Sequence, residues 1–367
     1  MKNNSEINIF SDTIIDKKII IADEIKAIMQ KAHTNIINLE APFVTENLKP
    51  ARRVALYQLS MDLSFFKNNN IEYVTLANNH MMDYGLDGLL STIDLLKNNN
   101  ITYFGAGKNE HDANQVIILT INNKKILLWA AASFITGAKI ASAQKPGVAS
   151  IENINTIFKD IKRYDIDYMI ALLHFGTEYE DYPEPYFKRL TEDLCHHYGF
   201  NLVIGHHPHC IQGMKKVNNS SICYSMGNFI FPETYYHNHK TKFKEKSKIG
   251  YFINLTISDT FNVKVVPYEI TNNGYEIRCI AGRSNDKFQK YFDKISYPLN
   301  LNDKEYSKFY KRVRIRKNRP VLTKNLNLNK FIFSLFMFYK KIKSYLGVYY
   351  RFVFRTKSEK NDCDATR

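Results

Sequence analysis

The chain has 367 residues, of which 44% are apolar and 24% are charged. This composition favours a soluble globular protein. The five cysteines are odd in number and form no CxxC pair, which argues against a disulfide framework and favours a reducing compartment. The N-terminal sequence MKNNSEINIF has no apolar core of the kind found in signal peptides. We therefore expect a cytoplasmic protein.

The net charge of +15 lies almost wholly near the C-terminus. Residues 304–360 contain 17 of the 51 Lys and Arg residues and two acids, a net charge of +15, and residues 361–367 carry −1. Residues 1–303 therefore carry a net charge of only +1. The charge therefore describes an appendage and not the substrate of the body. The sequence predicts a body at residues 1–300 and a basic, aromatic, helical C-terminal extension at residues 301–367.

Helix-like and strand-like segments alternate through the first part of the body. Helical spacing is present in IIADEIKAIMQKAH (20–33), YQLSMDLSFFKNNN (57–70) and GLDGLLSTIDLLKNNN (85–100). Each is followed by an apolar, strand-like run. The tetrapeptide KNNN ends the last two helices, and Asn tolerates the left-handed conformation in which helices stop. The alternation predicts parallel strands that are covered by helices.

The second part of the body changes from this alternation to strand after strand. KILLWAAASF (125–134) and YDIDYMIALLHFG (164–176) are strand-like, and EPYFKRLTEDLCHHYG (184–199) is helical. The segments from 200 to 270 are mostly apolar and extended, which indicates an antiparallel or mixed sheet. Together the two parts predict an α/β sandwich with two sheets at its centre.

Many of the predicted strands end in side chains that bind metals. In α/β folds ligands gather outside the carboxyl ends of the strands, so we expect these side chains to converge. They are Asp12, Asn38, Glu40, Asn78, Asn79, His80, His174, Glu178, His206, His207 and His209.

The chemistry of this set suits a centre for one or two divalent cations. Carboxylates can bridge two ions, and imidazoles can complete their coordination. The HxH spacing of His207 and His209 puts both on one face of an extended segment, with His206 on the other face. Asn79 can then bind metal while His80 protonates a leaving group. Two ions would also activate a water for in-line attack.

Four stretches resemble the CapA family of capsule and poly-gamma-glutamate biosynthesis proteins. They are NLEAPF (38–43), TLANNHMMDYGLDGLLSTIDLLKNNNITYFGAG (75–107), LLHFGTEYEDYP (172–183), and LVIGHHPHCIQ (202–212) with CYSMGNFIF (223–231). The resemblance covers roughly residues 7 to 280. It implies a four-layer α/β/β/α sandwich similar to the calcineurin-like metallophosphoesterases, and a metal-dependent bacterial hydrolase of a phosphoester or an amide.

The resemblance also implies roles for individual residues. Glu40 would be the bridging carboxylate and His80 the catalytic histidine. The other metal ligands would be Asp12, Asn79, His174, His207 and His209, and the substrate pocket would be lined by Asn38, Glu178, His206 and Asn228. The cofactors would be one or two ions of Mn, Zn or Fe.

Some positions depart from the family pattern. Ser11 replaces the Gly of the family's opening Gly-Asp, and Asp12-Thr13-Ile14 replaces the Asp-x-His of the wider superfamily. One metal shell is therefore a ligand short, and a single tightly held ion is the alternative. Family members of the capsule type usually have a membrane anchor at the N-terminus, for which this sequence has no signal.

Three functions remain open at this point. The first is a hydrolase that trims or releases a cell-surface polymer or its precursor. The second is a non-catalytic partner of a polymer synthase or export complex, with a vestigial metal site. The third is a nuclease or nucleotide phosphatase, which the near-neutral body disfavours because nucleic-acid surfaces are enriched in basic residues.

The C-terminal extension contains the aromatic segment KFIFSLFMFYKKIKSYLGVYYRFVFR (330–355), interrupted by Lys340, Lys341, Lys343 and Arg351. Its apolar runs are shorter than the ~20 residues needed to span a bilayer. Aromatic residues with interleaved cations suit a helix that lies in an anionic membrane interface. We expect peripheral attachment to the inner face of the membrane. The alternatives are a helix packed on the body, or contact with a polyanion through KRVRIRKNR (311–319).

Overall fold

The computed structural model describes residues 3–15, 18–45, 47–52, 55–59, 63–161, 164–232, 235–236, 239–240 and 244–322. The chain divides into two compact units, residues 1–307 and residues 308–367. The aromatic segment 330–355, for which the sequence predicts a membrane-interface helix, lies outside the described residues. No helix of the described part is long and apolar enough to cross a membrane.

The described strands lie in the first unit and vary in length from 2 to 11 residues. The strands up to residue 148 are β1 Asn3–Thr13, β2 Ile20–Ile21, β3 Ala32–Leu39, β4 Phe43–Val44, β5 Gln58–Leu59, β6 Ile71–Thr75, β7 Thr102–Phe104, β8 Ala106–Gly107, β9 Ile117–Ile121, β10 Lys124–Ala132 and β11 Gly147–Val148. The later strands are β12 Tyr168–His174, β13 Leu202–His206, β14 Met214–Val217, β15 Ser220–Cys223, β16 Asn228–Ile230, β17 Tyr235–Tyr236, β18 His239–Lys240, β19 Ile249–Ile257, β20 Phe261–Thr271 and β21 Glu276–Cys279.

Helices lie between the strands in the first part of the chain, and the last two described helices follow the last described strand. They are α1 Asp23–Lys31, α2 Ser64–Asn68, α3 Gly85–Asn98, α4 Glu110–Ala113, α5 Ile154–Ile161, α6 Pro185–His196, α7 Arg283–Ser296 and α8 Asp303–Leu322. The local sequence explains where they begin and end. Helix α1 has acids in its first turn and a lysine in its last, which match the helix dipole, and α6 begins at a proline.

Two large mixed sheets form the centre of the first unit. One has the strand order β2–β21–β20–β19–β1–β3–β6–β7, with β16 also paired to β1. The other has the order β14–β15–β13–β12–β10–β9. Strands β1, β3, β6 and β7 are parallel, whereas β19, β20 and β21 are antiparallel. The predicted change from parallel pairing to a mixed sheet is confirmed.

The two sheets pack face to face, and helices cover their outer faces. Ile36 of β3 belongs to the apolar cluster between the sheets, together with Leu128 of β10. The next residue, Ile37, belongs to the cluster on the other face, with Met29 of α1 and Leu96 of α3. Successive strand residues point to opposite faces, so β3 contributes to two layers of core at once.

The fourth layer lies against the second sheet. Phe187 of α6 stacks on Phe175, which follows β12, with ring centroids 4.9 Å apart. Trp129 of β10 contacts Phe200, with ring centroids 5.7 Å apart. The order helix, sheet, sheet, helix is therefore the predicted α/β/β/α sandwich. Gly205 of β13 is required here, because a Cβ at this position would lie 2.0 Å from the Tyr224 carbonyl oxygen.

Two helix predictions are correct only in part. Within residues 20–33, which are predicted as helix, Ile20–Ile21 forms β2 and β3 begins at Ala32. Residues 57–70 are predicted as helix, but Gln58–Leu59 forms β5 and the helix covers only Ser64–Asn68. The side chain of Gln58 accepts from the Ile15 N–H at 2.6 Å and donates to the Ala41 carbonyl at 2.6 Å. These tertiary hydrogen bonds hold the segment extended and override its helical pattern.

The two KNNN segments behave as predicted. Asn70 and Asn100 have φ values of 51° and 57°, so each ends its helix in the left-handed region that Asn tolerates. The amide of Asn70 also donates to the Ala32 carbonyl at 2.9 Å. The repeated tetrapeptide is therefore a repeated helix stop that leads into the next parallel strand.

Candidate metal centre

The carboxyl ends of strands from both sheets meet at one place. In the first sheet Asp12 of β1 is in register with Asn38 of β3. In the second sheet His174 of β12 is in register with His206 of β13. The two sets are joined directly, because the backbone N–H of His207 donates to Asp12 Oδ2 at 3.1 Å. The predicted convergence of strand ends is present in the structure.

Two groups of buried side chains have atoms placed to hold a cation. Their ligand atoms lie within 4.8 Å of one another. One group is Glu40, His207 and His209, and the other is Asp12, Glu40 and His174. Glu40 belongs to both groups, which is the position expected of a carboxylate that bridges two ions or serves one of two neighbouring sites.

The surroundings of the Glu40 carboxylate are the strongest evidence that this centre can hold a cation. Its side chain is completely buried, and neither carboxylate oxygen has a hydrogen-bond partner among the described residues. Burial raises the pKa of Glu40 well above 4.5, and the charges of Asp12, Glu178 and Asp83 raise it further. An unpaired buried carboxylate is strongly unfavourable unless a cation compensates it. The donor set therefore fits a divalent metal.

Two histidines of the centre, His174 and His207, are in the neutral form that binds metal. Burial lowers the pKa of His174 and of His207 well below 6.5, and neighbouring imidazoles lower both further. Both rings are therefore neutral at pH 7. Nε2 of His174 lies 2.8 Å from Asn79 Oδ1 and 3.1 Å from Nδ1 of His207. Three potential ligand atoms thus crowd at one point beside Glu40, as mixed N/O coordination requires.

His207 and His209 reach the centre by a different route from the one predicted. The sequence predicts an extended HxH segment, but β13 ends at His206. His207 and His209 have φ values of 97° and 53°, so the prediction of an extended segment is wrong. The turn places His209 Nε2 3.5 Å from Glu40 Oε1. Strained backbone of this kind is concentrated at functional sites.

Asn38 and Asn228, for which substrate contact is predicted, lie behind the ligands. Nδ2 of Asn38 donates to Asp12 Oδ1 at 2.7 Å, and Asn38 is completely buried. Oδ1 of Asn228 lies 2.8 Å from His209 Nδ1. Each amide is hydrogen-bonded to a candidate metal ligand, and such partners are a regular part of metal sites. These contacts favour an orienting role over substrate contact.

His206 and Glu178 also take positions that the sequence does not specify. His206 is buried, with Nδ1 3.2 Å from Ser11 Oγ and 3.6 Å from Asp12 Oδ1. It therefore packs beside the ligand Asp12 and is absent from both ligand groups. Glu178 is exposed, although its charge is close enough to raise the pKa of Glu40.

His80 is held by a carboxylate that the sequence analysis does not identify. Asp83 Oδ2 lies 2.7 Å from His80 Nδ1 and accepts from the Leu56 N–H at 2.7 Å. This pairing fixes the ring and favours the tautomer with the proton on Nδ1. The i,i+3 spacing of His80 and Asp83 in NHMMD was the available signal.

The loop that carries Asn79 and His80 is fixed by its neighbours. Oδ1 of Asn78 accepts from the backbone N–H groups of His80 at 3.1 Å and Met81 at 2.9 Å, a local turn typical of Asn. The guanidinium of Arg52 donates to the Asn79 carbonyl at 3.0 and 3.2 Å. Arg52 is a further residue that sequence reasoning did not find, because its contacts are all with distant loops.

A family match accounts for this arrangement. Residues 15–233 match the family model described as bacterial capsule synthesis protein PGA_cap. The chain belongs to this family. The matched range contains Glu40, Asn79, His80 and the histidines of the centre, whereas Asp12 precedes it.

Two curated relatives carry CapA names. The capsule biosynthesis protein CapA of Bacillus anthracis is 29% identical over 244 residues, which are 64% of this chain and 57% of that protein. The PGA biosynthesis protein CapA of Bacillus subtilis (strain 168) is 24% identical over 286 residues, which are 74% of this chain and 73% of that protein. The chain thus spans little more than half the length of the B. anthracis relative.

Among solved structures, the similar chains include nucleotidases. The NAD nucleotidase NadN of Haemophilus influenzae has a TM-score of 0.42 at 12% identity, and the alignment covers 86% of this chain and 60% of NadN. A 5′-nucleotidase precursor of Thermus thermophilus has a TM-score of 0.41 at 11% identity, and the alignment covers 87% of this chain and 59% of the precursor. Because these scores are low, the assignment rests on the family match.

Proposed function

We propose that this protein is a metal-dependent hydrolase that cleaves a phosphoester or amide bond during the making or export of a bacterial cell-surface polymer, such as a capsule or poly-gamma-glutamate. The proposal unites the PGA_cap membership with the chemistry of the centre. Mixed nitrogen and oxygen donors fit Mn, Zn or Fe. A divalent cation held there would supply Lewis acidity and a water of lowered pKa.

One observation carries the proposal, namely that Glu40 is a buried carboxylate without a hydrogen-bond partner among the described residues. A purely structural carboxylate at this depth would be paired. Glu40 lies 3.5 Å from His209 Nε2 and 3.9 Å from His174 Nε2. This part of the molecule is therefore built to hold positive charge.

The residues around the centre have separate tasks. Asp12, Glu40, Asn79, His174, His207 and His209 are the residues that would hold the metal. His80 would give a proton to the leaving group from Nε2 as an imidazolium, with its Nδ1–H directed at Asp83 Oδ2 2.7 Å away. Asn38 and Asn228 orient Asp12 and His209. Burial of all these ligands excludes bulk water and strengthens the electrostatic interactions.

A non-catalytic partner of a polymer synthase is the second candidate, and one observation favours it. Ile14 stands where the wider superfamily has a ligand histidine, and Ile14 is buried in an apolar cluster with Ala41 and Leu56. It therefore offers no replacement ligand, and one of two metal shells would be weakened. Contacts with polymer synthase components and with a membrane surface through the C-terminal extension are part of both proposals.

The test is hydrolysis by the full-length protein loaded with Mn or Zn. Bis(p-nitrophenyl) phosphate, p-nitrophenyl phosphate and a γ-glutamyl p-nitroanilide would be the probes for diester, monoester and amide cleavage. We expect His80→Ala to lower kcat about 10²–10⁴-fold, whereas His197→Ala, which removes an exposed histidine next to α6, leaves it unchanged. A metal-loaded wild type that cleaves none of the probes would favour the synthase-partner proposal.

A further inference from the structure

Tyr179 has a backbone conformation that is rare for a bulky residue. Its φ is 59°, in the left-handed region that strains residues with a Cβ. Its N–H donates to the Pro208 carbonyl at 2.7 Å, and Pro208 lies between His207 and His209. The Tyr179 ring lies 5.9 Å from the His209 ring, centroid to centroid. The strained backbone therefore places an aromatic ring beside an imidazole of the metal centre.

The ammonium group of Lys244 lies against the face of the Tyr179 ring. Its Nζ lies 3.3 Å from the centroid of the Tyr179 ring, a position in which the face of the ring attracts a cation. Lys244 is exposed. In the described part of the chain no carboxylate forms an ion pair with Lys244, whereas Lys246 pairs with Asp181 and Lys248 with Glu245. Among the described lysines of residues 244–248, Lys244 is thus the one without a carboxylate partner.

The segment that carries Lys244 is fastened to the metal-binding turn. Ser247 is buried, and its hydroxyl donates to the His209 carbonyl at 2.8 Å. The N–H of Ser247 donates to the Lys244 carbonyl at 2.9 Å. The ion pair of Lys246 with Asp181 joins the same segment to the loop that follows Tyr179. The position of Lys244 relative to His209 is therefore set by contacts on both sides.

We propose that Lys244, held on the Tyr179 ring, is an anion-binding subsite at the edge of the metal centre. The substrate would then carry a second anionic group, a phosphate or a carboxylate, near the bond that is cleaved. This inference rests on the proposed hydrolase and narrows its substrates. One anionic group would bind at the metal, and a second would then be repelled from the same place by the first, so a cation at the edge would bind it.

The test measures binding, without catalysis, to the Mn-loaded full-length protein. The probes are three phosphonates that resist hydrolysis: hexylphosphonate with one anionic group, hexane-1,6-diylbisphosphonate with two, and 6-phosphonohexanoate with a carboxylate as the second. We expect isothermal titration calorimetry to give about two- to fivefold tighter binding of the doubly anionic probes, as for one exposed ion pair. The difference should decrease with added salt.

Variants assign this gain to the subsite. Lys244→Gln should bind the two doubly anionic phosphonates no more tightly than it binds hexylphosphonate. Lys244→Arg should still bind them more tightly than hexylphosphonate. The matched control is Lys97→Gln, because Lys97 lies 5.8 Å from the Tyr103 ring centroid at the C-terminal end of α3, away from the strand ends that carry the centre. This control should behave as the wild type.

The outcomes separate the two proposals. Hexylphosphonate binding with no gain for either doubly anionic probe, or a gain that survives in Lys244→Gln, would overturn the subsite and leave the hydrolase standing. Failure of the wild type to bind any phosphonate would overturn phosphorus chemistry at the centre and the subsite with it. A gain for the bisphosphonate alone, or for both probes, supports the subsite and tells whether it prefers phosphate.

Discussion

Arg52 Nε lies 3.0 Å from Asp83 Oδ1, on the carboxylate whose other oxygen holds His80. The geometry is that of an ion pair and not of an aligned hydrogen bond. The same guanidinium donates to the Asn79 carbonyl and, at 2.9 Å, to the Gly137 carbonyl. One side chain thus joins the proposed proton donor, a proposed ligand and a distant loop.

We therefore expect Arg52→Gln to lower kcat about 10- to 100-fold, the range for residues that support a metal site. KM should change little, because the N–H groups of Arg52 contact carbonyl and carboxylate groups of the protein itself. The control is Arg278→Gln, since Arg278 makes a similar paired contact with Glu276 at 2.9 Å in β21. Steady-state kinetics with bis(p-nitrophenyl) phosphate would measure the change. Equal kcat values for the two variants would contradict the positioning role.

Removal of two imidazoles should empty the metal centre. We expect purified wild-type protein to contain one or two equivalents of a transition metal, and His207→Ala/His209→Ala to lose most of it, because these rings belong to one of the two ligand groups with Glu40. Elemental analysis measures the content. Two other adjacent histidines, at positions 196 and 197, are exposed at the end of α6, so His196→Ala/His197→Ala is the matched control. Retention of metal by the first variant would place the ligands elsewhere.

Lys188 should contribute to stability without any role at the centre. It is 1% exposed, and its ammonium lies 2.8 Å from Glu192 Oε1 and 3.3 Å from Asp303 Oδ1. The ammonium also lies 5.3 Å from the Tyr306 ring centroid. Removal of one partner from a buried ion pair is strongly destabilising, so Lys188→Ala should lower the free energy of unfolding by about 2–4 kcal/mol.

Urea unfolding of the Lys188→Ala variant would measure this loss. The control is Lys124→Ala, which removes an exposed ion pair with Asp167 and should leave stability nearly unchanged. Similar midpoints for the two variants would mean that the burial of Lys188 adds nothing to its ion pairs.

The sequence predicts those features that depend on local pattern. The alternation of apolar runs specifies the two sheets, and strand-end residues such as Glu40 and His174 are recognisable because metal chemistry restricts the residue types. The turn at His207 and His209 is not predictable in this way, because its positive φ values depend on contacts with the Tyr179 loop. Asp83 and Arg52 escape notice for a similar reason: charged residues are common, and only the fold brings these two to His80.

The substrate contacts show the same division. Asn38 and Asn228 are correctly placed near the centre by their motifs, yet the sequence cannot tell which way an amide points. In the structure both amides face ligands, at 2.7 Å from Asp12 Oδ1 and 2.8 Å from His209 Nδ1. Residues such as Lys244, whose importance comes from an aromatic neighbour 65 positions away in the chain, leave no local signal at all.

Metal binding should release a proton, and the source should be Glu40. The pKa of Glu40 is raised well above 4.5, whereas the pKa values of His174 and His207 are lowered well below 6.5. Metals bind the carboxylate and the neutral imidazole. At a pH between the lowered pKa values of the histidines and the raised pKa of Glu40, the two imidazoles are neutral and Glu40 holds a proton. Apparent Mn affinity should therefore rise with pH through the raised pKa of Glu40.

Calorimetric titration with Mn in buffers of different ionisation enthalpy would count the released proton, and Glu40→Gln should release none. The metal-free protein supplies an independent check on the sign. A carboxyl whose pKa is raised by folding contributes stability below 4.5 that is lost as the pH rises through the folded value. The increase in Tm on adding Mn should therefore become larger as the pH rises through that value. If Glu40→Gln still released a proton on binding Mn, that proton would come from the histidines. The imidazoles of the metal-free centre would then be protonated before the metal binds.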